Sequence, residues 1–105
     1  MTRRVRLEPE AEAELYAAAA RYEREVRGLG KDFVAATRAV RQRLRRWPNS
    51  GSFVDDVDPT LGVRRFPVAR FPYQIVYVRV GDDVHVIAVA YDGRKPGYWR
   101  DRISK

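Results

Sequence analysis

The stretch Phe71-Pro72-Tyr73-Gln74-Ile75-Val76-Tyr77-Val78-Arg79-Val80, joined through Gly81-Asp82-Asp83 to Val84-His85-Val86-Ile87-Ala88-Val89-Ala90-Tyr91, decides the fold class. Its β-branched and aromatic residues follow no helical period, which predicts two strands, Phe71 to Val80 and Val84 to Tyr91. Gly81-Asp82 between them is a tight hairpin signal. The second strand is apolar at successive as well as alternate positions, the pattern of a strand covered on both faces. Something elsewhere in the chain must supply that cover.

Upstream, Leu61 to Val68 reads as a third strand, with Pro67 and Pro72 marking breaks or edge positions. Arg4 to Leu7 is a candidate for a further short strand at the N-terminus. The cover comes from the first half of the chain. Ala11, Leu15, Ala18, Tyr22 and Val26 recur at steps of three and four, which stacks them on one helical face. Pro9 opens that helix without losing a hydrogen bond, Glu10, Glu12 and Glu14 sit near the positive end of its dipole, and Gly28-Leu29-Gly30 stops it. Phe33, Thr37, Val40, Leu44 and Trp47 repeat the spacing in a second helix, which Pro48-Asn49-Ser50-Gly51 ends. Two amphipathic helices joined by a short turn form an antiparallel hairpin. Asn49 to Thr60 is polar and reads as a loop. The expectation is α+β: a helical hairpin packed on a small twisted antiparallel sheet of three strands, with the candidate N-terminal strand as a fourth.

A chain of 105 residues, 45% hydrophobic and 33% charged, is the size and composition of one folded domain spanning 1–105. It has no cysteine, which excludes a disulfide framework, a thiolate nucleophile and sulfur-ligated zinc. No apolar run follows the basic N-terminus and none is long enough for a bilayer, so neither a signal peptide nor a membrane span is read. The formal net charge is +7, and lysine occurs only at 31, 95 and 105, so arginine carries most of the excess. That excess favours a polyanionic partner. The tail is its densest part: residues 93–105 hold five basic residues and one acidic.

Arg94-Lys95-Pro96-Gly97-Tyr98-Trp99-Arg100-Asp101-Arg102 interleaves cations with aromatics, the ingredients for gripping phosphates and stacking bases. Tyr98 and Trp99 serve equally well as closure for the edge of a core. Arg64 and Arg65 are adjacent in a strand and point to opposite faces, and with Arg70 and Arg94 they are candidates for a cationic cluster at one end of the sheet. Metal-free RNA cleavage would need a base, an acid and cations around the phosphorane, and only cations are plentiful. The single histidine, His85, reads as a structural strand residue. Asp55, Asp56 and Asp58 lack the spacing of a calcium loop, so no metal is expected. No phosphate loop, dinucleotide motif or activated serine is present, and no cofactor is expected.

Taken together, certain residues resemble the RelE/ParE superfamily of type II toxin-antitoxin systems, the ParE-like side more than the RelE-like one. They are Ala13-Glu14-Leu15 with Tyr22-Glu23, Gly28-Leu29-Gly30 with Phe33, Val63-Arg64-Arg65-Phe66-Pro67-Val68, Arg70-Phe71-Pro72-Tyr73-Gln74-Ile75-Val76-Tyr77, and Ala88-Val89-Ala90 leading to Arg94-Lys95-Pro96-Gly97-Tyr98-Trp99. The resemblance implies a cytoplasmic bacterial toxin held in a hetero-oligomer by a cognate antitoxin that tends to be acidic where it binds. It also implies one of two targets, DNA gyrase for ParE-like members or ribosome-bound messenger RNA for RelE-like nucleases. Gln74 stands where nuclease members commonly have arginine, and Tyr91 or Asp92 where relatives often have histidine, which favours the gyrase route. The expected effector surface is Arg64, Arg65, Arg70, Arg94, Tyr98, Trp99 and Arg100. In the alternative endoribonuclease, Arg64, Arg65, Arg94 and Tyr98 would be catalytic. The expected antitoxin contacts are Leu15, Tyr22, Phe33, Val40 and Leu44, on the hairpin's apolar stripe. A third reading is a non-toxic binding module that kept the fold.

Overall fold

The structure, a computed structural model, describes residues 3–55 and 57–103. Helix α1 spans Pro9–Glu25 and α2 spans Leu29–Arg46. Pro9 occupies the first turn of α1 with Glu10 and Glu12, while Arg43, Arg45 and Arg46 close α2, so each charge sign meets the dipole end it stabilises. The turn between them is held by one side chain. Both Glu23 carboxylate oxygens accept from Gly28 N–H, and Oε1 also accepts from Gly30 N–H. Gly28 takes a φ of 87°, and a Cβ on Gly30 would stand 2.5 Å from the Ala19 carbonyl oxygen, so glycine is required at both places.

The sheet contains β1 (Val5–Leu7), β2 (Ser52–Phe53), β3 (Val63–Pro67), β4 (Tyr73–Val80) and β5 (Asp83–Tyr91), in the order β1-β5-β4-β3-β2. The three long strands lie where the alternation and turn residues place them. Two features depart from the expected sheet. The candidate N-terminal strand is present but runs parallel to β5, so the sheet is mixed rather than antiparallel. A parallel partner needs no hairpin turn and leaves no turn signal. Ser52–Phe53, inside the stretch read as a loop, pairs antiparallel with Arg64-Arg65 of β3. Two residues are too short for alternation to reveal.

The helices cover one face. Leu15, Phe33, Val40 and Leu44 are at most 5% exposed and pack with Ile75, Tyr77, Val84 and Val86 in a single cluster, which Tyr22 flanks. These five residues were expected to face the antitoxin. Their own sheet covers the stripe, so it is core and not a docking surface. Phe33 stands 5.3, 5.1 and 4.9 Å, ring to ring, from Tyr22, Phe71 and Tyr73. The stripe ends sooner than its period suggests, because Val26 and Trp47 are the cap residues of α1 and α2, outside the helical dihedrals, and both are exposed.

The opposite face carries a second, smaller cluster of Val54, Val63, Val76, Ile87, Ala88, Ala90 and Trp99. Its cover is the C-terminal segment, which has no regular structure beyond a 3-10 turn at Arg100–Arg102. A bulge in β5 enlarges this face. Val76 pairs with Ala88 and Tyr77 with Val86, which leaves Ile87 as the extra residue, and Ile87 and Ala88 both join the second cluster.

Candidate functional site

The bulge lies just past the end of β1, where β5 has backbone groups that no strand meets. Two side chains take them. Val89 N–H donates to Glu14 Oε1 at 3.0 Å, and Arg102 Nη1 donates to the Ile87 carbonyl at 2.9 Å. Glu14 and Arg102 also bond each other twice, Nη1 to Oε1 at 3.0 Å and Nη2 to Oε2 at 3.1 Å. Such a two-pronged pair is strong and directional. Arg102 and Glu14 are 16% and 15% exposed, so the charges are mostly removed from water and depend on one another. Glu14 projects here because it shares its helical face with Ala11, Leu15 and Ala18. A carboxylate inside a buried period is the one sequence signal for this role, and the reading of Glu14 as a dipole partner of the helix passed over it.

Tyr98 completes the arrangement. Its hydroxyl donates to Glu14 Oε2 at 2.7 Å, and the Arg94 guanidinium lies 3.8 Å from its ring centroid, within cation-π range. Burial first, and the Glu14 carboxylate second, push the Tyr98 pKa far above the usual tyrosine value. In this arrangement the Tyr98 hydroxyl ties the tail segment to α1, a structural role for the residue named as catalytic in the nuclease alternative.

The other expected effector residues part company. Arg65, Arg94 and Arg100 line a cleft of about 390 Å³ on the tail side of the sheet, together with Gln74 and Lys95. Trp99 also borders it but is only 7% exposed, so it is mainly core, the closing role its sequence context left open. Arg64 points to the other face, as adjacent strand residues must. There its Nη1 bonds the Gly51 carbonyl at 2.7 Å, and its guanidinium lies 4.0 Å from the Phe53 ring centroid. Tyr77 holds the same loop: its hydroxyl accepts from Gly51 N–H at 2.9 Å and donates to the Pro48 carbonyl at 2.8 Å. Arg64 is thus a loop anchor and not part of a catalytic set with Arg94. Arg70 sits in the β3–β4 turn with a φ of 73°, its guanidinium 5.8 Å from the Phe71 ring, and stays outside the cleft.

A second concavity, about 440 Å³, lies between α1 and the end of β5 and was not anticipated. Arg21, Arg24 and Arg94 line it, with Tyr73 and Tyr91 as aromatic walls. Arg21 Nη2 donates to the Tyr73 hydroxyl at 2.6 Å, and its guanidinium lies 5.3 and 5.7 Å from the Tyr22 and Tyr91 rings. Nothing local in the sequence connects Arg21 and Arg24 to residue 94. Both concavities include Arg94 and Tyr91.

Among the described residues, no group of three or more His, Cys, Asp or Glu is arranged to hold a metal. Asp58 caps the turn at Thr60, whose N–H it accepts at 2.9 Å; Asp56 lies outside the described residues. His85 Nδ1 is 3.0 Å from Glu8 Oε1, on the β1 side of the sheet and away from both concavities. No described helix is long and apolar enough to cross a membrane. The site is rich in cations and aromatic surface, and its phenol of best reach is locked, an arrangement suited to binding.

The chain is similar to known proteins in two respects. A family model described as the ParE toxin of the type II toxin-antitoxin system, parDE, matches residues 5–96. Among solved structures, a chain from the chromosomal ParDE toxin-antitoxin system of P. aeruginosa shares the fold with a TM-score of 0.69 at 18% identity, over 86% of this chain and 96% of that one. No curated protein matches in sequence. The match along most of its length shows that the chain belongs to the ParE toxins of type II toxin-antitoxin systems.

Proposed function

We propose that the protein arrests growth by binding DNA gyrase and that a cognate antitoxin holds it inactive. The observation that carries the target reading is the fate of Tyr98. With its hydroxyl bonded to Glu14, and with Gln74 at the strand position where nuclease members commonly carry arginine, the cationic cleft favours holding a partner over RNA cleavage through Tyr98. Membership of the ParE family supports the same choice, and the ParDE neighbour supports an antitoxin partner.

The buried stripe of the hairpin leaves the outer side of the same helices for the antitoxin. An apolar groove of about 570 Å³ runs there past Tyr16, Ala20, Val34 and Ala35, with Lys31 and Arg38 on its rim. Two cations, Lys31 and Arg38, outnumber the one lining carboxylate, Glu23, which the glycine N–H groups hold at the turn, so the rim is net positive and suits an acidic amphipathic segment.

The test is inducible expression in bacteria without an antitoxin, following growth, messenger RNA integrity and the DNA-damage response in one culture. Growth arrest with intact messages and an induced damage response is expected. Early cleavage of translated messages would replace the gyrase reading with the nuclease one, and unimpaired growth with soluble folded protein would remove the toxin activity in that host.

A further inference from the structure

The two concavities meet at Arg94 and Tyr91, so they form one bent groove around the C-terminal end of β5. One arm carries Arg21 and Arg24 from α1, the other Arg65 from β3 and Lys95 from the tail. Cations therefore arrive from three separate parts of the chain, α1, β3 and the segment after β5. Among the described residues along the groove, Glu14 is already matched by the two-pronged bond to Arg102, which leaves Asp55 and Asp92 beside Arg21, Arg24, Arg65, Arg94 and Lys95. Arg21 is aimed by phenols and aromatic faces and not by a carboxylate, so it is positioned with its charge uncompensated.

We infer that this groove binds single-stranded nucleic acid, with backbone phosphates along Arg24, Arg21, Arg94, Lys95 and Arg65 and an unpaired base against Tyr91. Three features select that ligand. Two joined concavities suit a polymer better than a single small anion. Each arm has a volume in the range that holds a small organic ligand, which admits a nucleotide unit. Tyr91 is 44% exposed at the junction, and an exposed aromatic ring is useful to a splayed base but not to a base inside a duplex. The inference goes beyond the gyrase and antitoxin reading: it shares the tail-side cleft with it and adds the α1 arm and the exposed Tyr91 ring.

The test uses the purified full chain and a labelled oligothymidylate of about 15 nucleotides, read by fluorescence anisotropy across a salt series. Micromolar binding near 0.1 M salt is expected, with log K falling against log salt at a slope of about −3.5 for five phosphates. Arg24→Glu in one arm and Lys95→Glu in the other should each weaken binding about fivefold or more and flatten the slope, and together they should multiply. Tyr91→Ala should weaken binding about tenfold while leaving the slope unchanged, the signature of stacking. Arg38→Glu, on the outer face of the hairpin, makes the same change in net charge and should leave binding intact; circular dichroism checks that each variant is folded. Equal loss in Arg38→Glu would reduce the effect to net charge and overturn the groove. Tighter binding to a duplex, a response from only one arm, or no oligonucleotide binding by a chain that still binds gyrase would each overturn it as well. Because the readout is the purified chain with an oligonucleotide, the result is separate from whether gyrase is the toxin's target.

Discussion

On one face of the sheet, helices of 17 and 18 residues bury Leu15, Phe33, Val40 and Leu44 against Ile75 and Tyr77; on the other, a segment with only a three-residue turn buries Trp99 and ties itself down through Glu14. The first face is closed by many apolar contacts between regular elements. The second is closed by few apolar contacts and one carboxylate that serves Val89, Tyr98, Arg94 and Arg102 together. An irregular segment cannot present a periodic apolar stripe, so its order comes from charge-assisted hydrogen bonds of long sequence separation. The consequence is unequal fragility, and it falls on the side that carries the Lys95 and Arg100 arm of the groove.

The largest expected effect is on the helix face. Phe33→Ala removes a fully buried ring from the aromatic cluster and should cost about 4 kcal/mol, read by urea unfolding. A cost below about 1 kcal/mol would mean that the cluster repacks and that this face is less rigid than its burial suggests. Next comes Glu14→Ala, which strands the Arg102 guanidinium and the Val89 N–H and should cost about 3 kcal/mol. Here the distribution matters more than the sum. Amide exchange should rise sharply over residues 94–103 and at Val89 while α2 stays protected; uniform loss across both faces would erase the distinction drawn between them.

The smallest effect concerns pH. Burial raises the pKa values of Tyr73 and Tyr77 on the helix face and of Tyr98 on the tail face. In each case the fold retains a proton that the unfolded chain releases near pH 10, so the tyrosine contribution is complete below that pH and is lost as pH rises through the folded values. Stability should therefore show no tyrosine-dependent change from about pH 8 to 10 and fall above it. A marked drop already near pH 9, absent in Tyr98→Phe, would mean that Tyr98 titrates far lower than its surroundings dictate.

Most of the fold was legible beforehand because helices and long strands are written in local patterns. The spacing of Ala11, Leu15 and Ala18, and of Phe33, Thr37, Val40 and Leu44, marked the very residues that are buried, and the apolar run Val84 to Ala90 announced a strand covered twice. Legibility failed where the local signal was short or shared. Ser52–Phe53 was too brief, the parallel pairing of Val5–Leu7 had no turn to declare it, and Trp47 kept the helical period one residue beyond the helix. Of the residues expected at the effector surface from composition and clustering, Arg65, Arg94 and Arg100 lie along one cleft. Arg64 and Arg65 were separated only by the pleat, and Arg21 and Arg24 were hidden in an ordinary charged helix surface.

Hydrophobic periodicity, turn residues and charge count were sufficient to name the layers and a basic tail, because each is a property of residues close together in the chain. Folding alone decided which arginines share a groove, that the Tyr98 hydroxyl donates a hydrogen bond to Glu14, and that the expected docking stripe is core. Glu14 and Arg102 are 88 positions apart, and no local pattern predicts their bond. It forms because the bulge leaves backbone groups of β5 without a strand partner, and a carboxylate and a guanidinium are the side chains within reach that can satisfy them.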